Sequence, residues 1–377
     1  MRIILGSAGT RSDLAFFFAL GRRLQDRHHT VTMIVPEKYR SEIMKLELRM
    51  VTCGRNFDEY LEGNSEDTSS EFVKALASQI ASQFVALRDA LREADVVVAD
   101  MFLVPAASMA ENVGLPYFQL IQSPLVLAPA AFPSIGVPDD KVSGILGKRR
   151  HDSLRKEWQE TIGSVLNRER KFTHLKAVPD LYEHLMTTGR HLIAVDPEIS
   201  ELTKSPTSAT VGYFNAEKSE SNQSAIFLGK LPIPAEERQS FLNSVCETLE
   251  GSGHRIMFAS DSYEANEKCI VIDPTQQFDE MLRCSAVVHQ GSAGFAMSCA
   301  RSGVPQVVVP HLVENFFWAE KVDSLGLGVG MKKRSDAKSL AAAILQAIQM
   351  KESVASFSQK IRNRDGLELA CEAIENL

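Results

Sequence analysis

Residues 2–9, Arg-Ile-Ile-Leu-Gly-Ser-Ala-Gly, form a short apolar run that stops at small residues. A run of this length that ends in glycine and serine predicts a buried parallel strand. We expect a helix from Leu14 to Arg27, where apolar residues recur at helical spacing, and a second strand over residues 31–36. The three segments make one β-α-β unit, the building block of a parallel sheet.

The same alternation of strand and helix continues on both sides of a polar segment, residues 196–224. Further strands are predicted near residues 94–100, 115–120, 191–195, 225–229, 255–258, 269–272, 286–289 and 306–310. Strands that alternate with helices predict parallel sheets covered on both faces. The sequence therefore predicts an α/β protein with two doubly wound domains and a cleft between them. Ligands of such sheets bind outside the carboxyl ends of the strands.

Length and composition restrict the class of protein. The 377 residues favour two domains or three, and 44% apolar with 24% charged residues is typical of a globular chain. The formal net charge is 41 − 48 = −7, which argues against a nucleic-acid partner because phosphate binding needs a basic surface. No apolar run approaches the ~20 residues that span a bilayer, and the N-terminal residues do not resemble a secretory signal.

The cysteine pattern predicts reduced thiols. The six cysteines have no C-x-x-C spacing and no disulfide framework, which favours a cytoplasmic protein. No spacing of His, Cys and Asp suggests a metal site. Membrane, fibrous and disulfide-scaffold classes are excluded, and a soluble enzyme of two domains is the class that remains.

The most informative window runs from Val287 to Phe295. His289 ends a predicted strand, and small residues lead from Gly291 into the start of a helix. The first amides of a helix, together with its dipole, favour an anion such as a diphosphate, and a histidine can donate a hydrogen bond to it. The alternative is a plain glycine-rich turn with a histidine in the core.

The stretch from His289 to Gly328 resembles the donor-sugar signature of the family 1 glycosyltransferases of GT-B fold, especially their bacterial natural-product branch. The signature has the order H-x-G-x-x-G, G-V-P-Q, P-H, an acidic-amide pair and an aromatic-alanine run. The chain supplies these elements in that order at residues 289–294, 303–306, 310–311, 314–315 and 317–319.

The resemblance extends over essentially the whole chain and implies a domain organisation. The GT-B fold has two Rossmann-like domains with doubly wound parallel sheets and an interdomain cleft. By resemblance, residues 1–200 form an acceptor-binding domain and residues 201–222 a linker. Residues 223–360 would form the donor-binding domain, and a last helix over 361–377 would cross back to the first domain.

The resemblance also implies a donor site. His289 would contact the diphosphate, and Gln277 would lie next to the nucleotide base. Glu314 and Asn315 would face the sugar hydroxyls, where the family usually has Asp-Gln; a helix-start carboxylate is the alternative for Glu314. Lys230 stands where relatives have a hydroxyl residue near the phosphate. The other donor-binding positions are Gly229, Gly291, Ser292, Ala293 and Gly294.

The N-terminal loop, residues 6–13, resembles the acceptor side of the same family, and Asp13 falls on the position of the catalytic base. The alternative for Asp13 is a helix N-cap. Asp100 ends a strand at the same sheet edge and is either a second catalytic carboxylate or a strand-end turn residue. The predicted acceptor-binding residues are Ser12, Phe16, Gln122 and Ser123, although the family usually has Gly and Pro in place of the first two, and Phe16 has a core position as its alternative.

The function implied is an inverting, metal-independent transfer of a sugar from a UDP- or dTDP-sugar to a hydroxyl of a small, largely apolar acceptor. The apolar loop over residues 122–138 suggests a natural product or lipid as the acceptor. No cofactor is expected besides the nucleotide sugar, and the protein would be a monomer or homodimer. Two alternatives are a nucleotide-sugar 2-epimerase of the same fold and a non-catalytic partner subunit of a glycosyltransferase. The second is suggested by the departures at Ser12, Phe16, Lys230 and the Glu-Asn pair.

Overall fold

A computed structural model describes the chain in two compact units. The first comprises residues 1–214 and 365–377, and the second residues 215–364. The described residues are 1–54, 69–127, 152–153, 155–200, 208–215, 222–229, 231, 233, 235–259, 269–273, 276–311, 313–332 and 336–377. Lys230 and the predicted acceptor loop beyond residue 127 lie outside these residues.

The sheet of the first unit has the strand order β3-β2-β1-β4-β5-β6-β7, with every pair parallel. Its strands are β1 (Arg2–Gly6), β2 (Thr30–Val35), β3 (Arg49–Thr52), β4 (Val96–Ala99), β5 (Tyr117–Ile121), β6 (Arg190–Ile193) and β7 (Ser208–Thr210). β7 lies inside the predicted linker. Three half-buried residues, Ser-Ala-Thr, are too short and too polar for a strand to be recognised there from the sequence.

The helices of this unit up to β6 are α1 (Arg11–Asp26), α2 (Arg40–Lys45), α3 (Ser69–Ala90), α4 (Ala106–Val113), α5 (Ser164–Phe172) and α6 (Leu181–Thr187). α5 follows a π-helical turn over Gln159–Gly163. α5 ends at Phe172, and two residues later His174 has a left-handed φ of 61° that a continuing helix does not allow.

α1 begins three residues earlier than the sequence predicted. Thr10 is extended and serves as the N-cap, so Asp13 is the third residue of the helix and not its cap. The Asp13 carboxylate nevertheless accepts a hydrogen bond from the backbone N–H of Thr10, at 2.7 Å. This bond satisfies one of the amide groups that a helix start leaves without an intrahelical partner.

The second unit has its own parallel sheet, of order β10-β9-β8-β11-β12-β13. Its strands are β8 (Asn222–Leu228), β9 (Arg255–Ala259), β10 (Cys269–Ile272), β11 (Cys284–His289), β12 (Gln306–Val308) and β13 (Gly328–Gly330). Its helices are α7 (Ala235–Thr248), α8 (Gln277–Met281), α9 (Ala293–Ser302), α10 (Val313–Ser324), α11 (Ala337–Gln349) and α12 (Lys351–Ile361).

A final helix, α13 (Gly366–Glu375), completes the first unit by packing on α1. Arg27 makes a bidentate contact with Glu375, and the Nε2 of His29 lies 2.7 Å from the same carboxylate. Glu368 contacts both Arg23 and Arg27. The first unit is thus built from two stretches of chain that are separated by the whole second unit.

The order of strands reverses once in each sheet, between β1 and β4 in the first and between β8 and β11 in the second. A crevice forms at the carboxyl ends of the strands where the order reverses, and this is where doubly wound sheets bind ligands. The central strands β4 and β5 are buried along their whole length, which fixes the position of the residues that follow them. Among the described residues, no helix is both long enough and apolar enough to cross a bilayer.

Candidate functional site

In the first unit, the predicted catalytic residues come together at the reversal point. Gly6 of β1 is the register partner of Ala99 of β4, so the loop after β1 and Asp100 leave the sheet side by side. The Asp100 N–H donates to the Gly6 carbonyl at 3.3 Å. Strand register thereby brings together residues that lie about ninety positions apart in the sequence.

Asp100 is a buried carboxyl group, with only 5% of its surface exposed. The Ser7 hydroxyl donates to its Oδ2 at 2.6 Å, and the Phe102 N–H donates to its Oδ1 at 3.0 Å. Burial, and after it the negative charge of Asp13, raise the pKa of Asp100 to about 8. Asp100 is therefore mostly protonated at neutral pH, and the two carboxyl groups together carry one negative charge.

Asp13 is half-buried and carries that charge. Both the N–H and the hydroxyl of Thr10 donate to its Oδ2, at 2.7 and 2.8 Å. The Gln122 side-chain amide donates to the Asp13 carbonyl at 2.8 Å and so fastens the start of α1 to the end of β5. The two donors of Thr10 fix one oxygen of the carboxylate, and a proton acceptor in a reaction must be held in place in this way.

The absence of a side chain at Gly9 makes space for the Asp13 side chain. A Cβ atom at position 9 would lie 2.7 Å from the Asp13 Oδ2 and 2.9 Å from the Phe102 Cδ2. These distances are too short for unbonded carbon contacts. The small-residue run after β1 is therefore a packing requirement of the carboxylate.

The predicted acceptor-binding residues divide into two groups. Ser12, Gln122 and Ser123 are close to this loop: the Ser12 Oγ lies 2.9 Å from the Thr10 Oγ1, and Gln122 contacts Asp13. Within the described part of the chain, the buried Oε1 of Gln122 and Oγ of Ser123 have no hydrogen-bond partner. Their acceptor-binding role stays a prediction.

Phe16 is different, because the structure places it in the core. Its side chain is 0% exposed, and its ring packs on Tyr213 and Phe214 with centroid separations of 5.7 and 6.1 Å. Burial of a large aromatic surface accounts for the residue fully. This corrects the prediction of an acceptor contact for Phe16.

Sequence reasoning assigned no role to Ser7 and Thr10, which hold the two carboxyl groups. The Ser7 Oγ accepts a hydrogen bond from the Gly9 N–H at 2.9 Å while its proton goes to Asp100. Ser7 directly follows the carboxyl end of β1, so the reversal-point rule alone would have pointed to it.

In the second unit, the predicted diphosphate turn follows β11. Gly291 has a φ of 102°, which favours glycine, and Ser292 is the extended N-cap of α9. Gly229 directly follows β8, and its N–H donates to the Val288 carbonyl at 2.8 Å. A Cβ at Gly229 would lie 2.9 Å from that same oxygen, so a glycine is needed there too.

The amides of Ser292, Ala293 and Gly294 begin α9. The first amides of a helix have no intrahelical acceptor and carry the positive end of its dipole. Such a helix start can bind an anion, and the diphosphate contact of these three amides stays a prediction.

His289 makes its hydrogen bonds inside the protein. It is 2% exposed; its Nδ1 accepts from the Gly291 N–H at 3.0 Å, and its Nε2 lies 2.9 Å from the Gln306 Oε1. Burial lowers its pKa to about 4, so the ring is neutral. The sequence predicted that His289 donates to a phosphate, whereas here both ring nitrogens have protein partners; the phosphate contact stays a prediction.

Asn315 is likewise turned toward the backbone. It is 7% exposed, its Nδ2 donates to the Gly291 carbonyl at 3.2 Å, and its Oδ1 accepts from the His311 N–H at 3.3 Å. Its neighbour Glu314 is half-buried at the start of α10. The predicted sugar contacts of this pair remain predictions. Gln277 is the first residue of α8, and its side chain lies outside the described part of the structure.

Within the described ranges, no group of three or more His, Cys, Asp and Glu side chains is arranged to hold a metal ion.

Comparison with known proteins agrees with this geometry. Residues 274–368, which include the whole turn and α10, match the family described as erythromycin biosynthesis protein CIII-like, C-terminal domain. The chain is 26% identical to glycosyltransferase GtfC of Amycolatopsis orientalis over 99% of this chain and 97% of that protein.

Solved structures show the same fold over the full length. The glycotransferase of kitacinnamycin superposes with a TM-score of 0.72 at 17% identity, covering 100% of this chain and 98% of that one. Glycosyltransferase VinC, solved in complex with dTDP, gives a TM-score of 0.67 at 16% identity, covering 100% and 99%. The two parallel-sheet units are thus those of the GT-B fold.

Proposed function

We propose that this chain, which has the GT-B fold and resembles bacterial natural-product glycosyltransferases, transfers a sugar from a dTDP- or UDP-sugar to a hydroxyl of a small, largely apolar acceptor. The observation that carries the proposal is the pair of carboxyl groups at the reversal point of the first sheet. One of them, Asp100, is kept neutral by burial, and Asp13 therefore carries the charge.

Asp13 is the general base of this proposal. Its carboxylate takes the proton of the acceptor hydroxyl as the hydroxyl oxygen bonds to the anomeric carbon. The bond between that carbon and the diphosphate oxygen breaks at the same time, and its electron pair leaves with the diphosphate. A single displacement of this kind inverts the configuration at the anomeric carbon.

The diphosphate is bound, in this proposal, by the amides of Ser292, Ala293 and Gly294 at the start of α9. These groups and the helix dipole stabilise the charge that develops on the leaving diphosphate. We infer that the amides do this without a metal ion. The solved complex of VinC with dTDP supports a thymidine nucleotide as one candidate donor.

The acceptor faces the loops that follow β1 and β5. The unpartnered Gln122 Oε1 and Ser123 Oγ would hydrogen-bond its polar groups. The apolar composition of residues 122–138 favours an apolar natural product or lipid. The protein would act as a monomer or homodimer.

The test is an assay of the full-length chain with dTDP- and UDP-linked sugars and a panel of polyketide, glycopeptide and sterol aglycones. Products are identified by mass spectrometry, and the anomeric configuration by NMR. We expect an inverted glycoside whose yield does not change in EDTA. Retention of configuration, or loss of activity in EDTA that a divalent cation restores, would contradict the mechanism.

Asp13→Asn tests the base. We expect kcat to fall by about 10²–10⁴-fold, since this is the contribution of a positioned general base. The control is Asp26→Asn, which removes an exposed carboxylate at the other end of the same helix, where it pairs with Arg22. Equal activity of Asp13→Asn and wild type would exclude the assignment.

The same assay separates the two alternatives. A 2-epimerase would convert the nucleotide sugar, or release free nucleotide, with no acceptor present. A partner subunit would show no turnover alone and would raise the activity of a second glycosyltransferase.

A further inference from the structure

Gly291 is held at both of its polar backbone atoms by buried side chains. Its N–H donates to the Nδ1 of His289, and its carbonyl accepts from the Nδ2 of Asn315. Gln306 supports His289 from the far side of the ring. His289, Gln306 and Asn315, here called the Gly291 brace, come from β11, β12 and α10.

The direction of each hydrogen bond in the brace is fixed by its neighbours. A backbone N–H can only donate, so the Nδ1 that faces Gly291 has no proton. The proton of the neutral ring is then on Nε2 and is donated to the Gln306 Oε1. The other end of that amide donates to the Ala296 carbonyl at 3.2 Å, in the first turn of α9. The orientation of the Gln306 amide is therefore consistent with the tautomer of His289 that carries its proton on Nε2.

We propose that the brace sets the conformation of the diphosphate-binding turn, and that His289, Gln306 and Asn315 are positioning residues for the donor. The inference rests on the proposed function, because it concerns the same donor site. The brace holds the one residue of the turn with a left-handed φ, directly before the amides of Ser292, Ala293 and Gly294. A rotation at Gly291 would turn those amides away from a common point.

This assigns His289 an indirect role. If its Nε2–H bound the phosphate directly, removal of Gln306 would free that proton and leave donor binding unchanged or tighter. If the brace sets the turn, the same removal leaves the Nε2–H without an acceptor, which favours the other tautomer. In that tautomer an Nδ1–H faces the Gly291 N–H, and the turn opens.

The experiment compares two variants that replace a polar side chain by an apolar one of similar shape. Gln306→Met removes the hydrogen bonds to His289 and Ala296. Asn315→Leu cannot donate to the Gly291 carbonyl and adds no charge that would itself repel a diphosphate. Ser358→Ala is the matched control, since it removes another buried hydrogen bond of the second unit, from Ser358 to the Arg301 carbonyl, that makes no contact with the turn.

Titration calorimetry of the full-length chain gives Kd for dTDP and UDP, and NMR titration gives Kd for thymidine and uridine, which have no phosphate. We expect both test variants to bind the diphosphates about tenfold more weakly, the effect of one lost buried hydrogen bond. Affinity for the nucleosides should stay within about twofold, because the turn contacts only the phosphates. A general structural defect would weaken both classes equally and would overturn the inference, as would unchanged diphosphate binding.

His289→Asn is a second test that does not depend on the fold tolerating the first variants. An Asn side chain can accept from the N–H two residues ahead, as in an Asx turn, but cannot reach Gln306 in the same way. We expect it to retain more affinity for dTDP than His289→Ala. Equal losses in the two variants would overturn the positioning role of His289. ¹⁵N NMR of labelled histidine should show a protonated Nε2 in the wild type and a larger share of the other tautomer in Gln306→Met.

Failure of the inference is distinguishable from failure of the proposed function. Wild type that binds neither diphosphate contradicts the proposed donor. If the wild type binds a diphosphate and both brace variants bind it equally well, only the role of the brace is contradicted.

Discussion

The raised pKa of Asp100 predicts that the folded state becomes less stable as the pH rises. The folded pKa, about 8, is above the value of about 3.9 in an unfolded chain. Between these values the folded chain holds a proton that the unfolded chain has lost, so this contribution to stability is complete below pH ~4 and is lost as pH rises through ~8. We expect Asp100→Asn to remove the dependence, and the Tm of the wild type to fall relative to that of the variant between pH 5 and 8. Calorimetry at several pH values checks this, and parallel curves would contradict it.

The same proton predicts unequal effects of the two carboxyl groups on catalysis. Asn imitates a protonated Asp, so we expect Asp100→Asn at pH 7 to keep kcat within about tenfold of wild type, far from the loss expected for Asp13→Asn. Steady-state kinetics of the two variants under identical conditions makes the comparison. Equal losses would show that Asp100 acts in its charged form.

Sequence motifs single out candidate residues but do not predict which groups those residues contact. Asp13 and His289 were recognised from motifs, whereas the partners of His289 come from Gly291 and from Gln306, seventeen residues on. The direction of a side chain depends on strand register and burial, which are properties of the folded chain. Phe16 shows the same limit, because an aromatic residue in an apolar helix stripe suits a ligand surface and a core equally well.

At the scale of elements, the loop between β1 and α1 packs closely against the Asp13 side chain. A Cβ at Gly9 would displace the Asp13 carboxylate, so we expect Gly9→Ala to lower kcat by up to about 100-fold, the effect of a misplacement of about 1 Å. Kd for dTDP should not change, because the diphosphate site is in the other unit. The control is Gly114→Ala, where a Cβ would meet nothing within 4 Å but the φ is 70°. The control should lose stability and keep kcat, and an equal loss of kcat in both would contradict the steric explanation.

The elements themselves were largely predictable, because buried parallel strands are uninterrupted apolar runs that stop at small residues. The strand predicted at residues 269–272 matches β10, and the helix predicted to start after Gly291 matches α9. The predicted bounds are wrong where polar residues begin an element before its apolar pattern starts. α1 starts at Arg11, before the apolar residues begin, because Thr10 is its N-cap and the Asp13 carboxylate accepts from the Thr10 N–H.

At the scale of the molecule, the contacts between α1 and α13 predict a second pH dependence of stability, of opposite sign. Hydrogen bonds from Arg27 and His29 lower the pKa of Glu375 to about 2, below its usual value, so its stabilising effect is present above pH ~4.5 and is lost as pH falls through ~2. We expect Glu375→Gln to lower the Tm at pH 7, with a difference from wild type that shrinks as pH falls toward 2. Glu372→Gln, on the same helix, is the control and should be neutral. A difference that is constant with pH would contradict the ion-pair explanation.

The return of α13 to the first unit has a consequence for biosynthesis. Chains fold as they leave the ribosome, N-terminal part first. Here the surface of α1 on which α13 packs stays uncovered by that helix until residues 215–364 have been translated. During that interval the nascent first unit exposes the face of α1 that α13 later covers. We therefore expect a ribosome-bound chain stalled before residue 365 to be more sensitive to protease, and to recruit chaperones more, than the released protein.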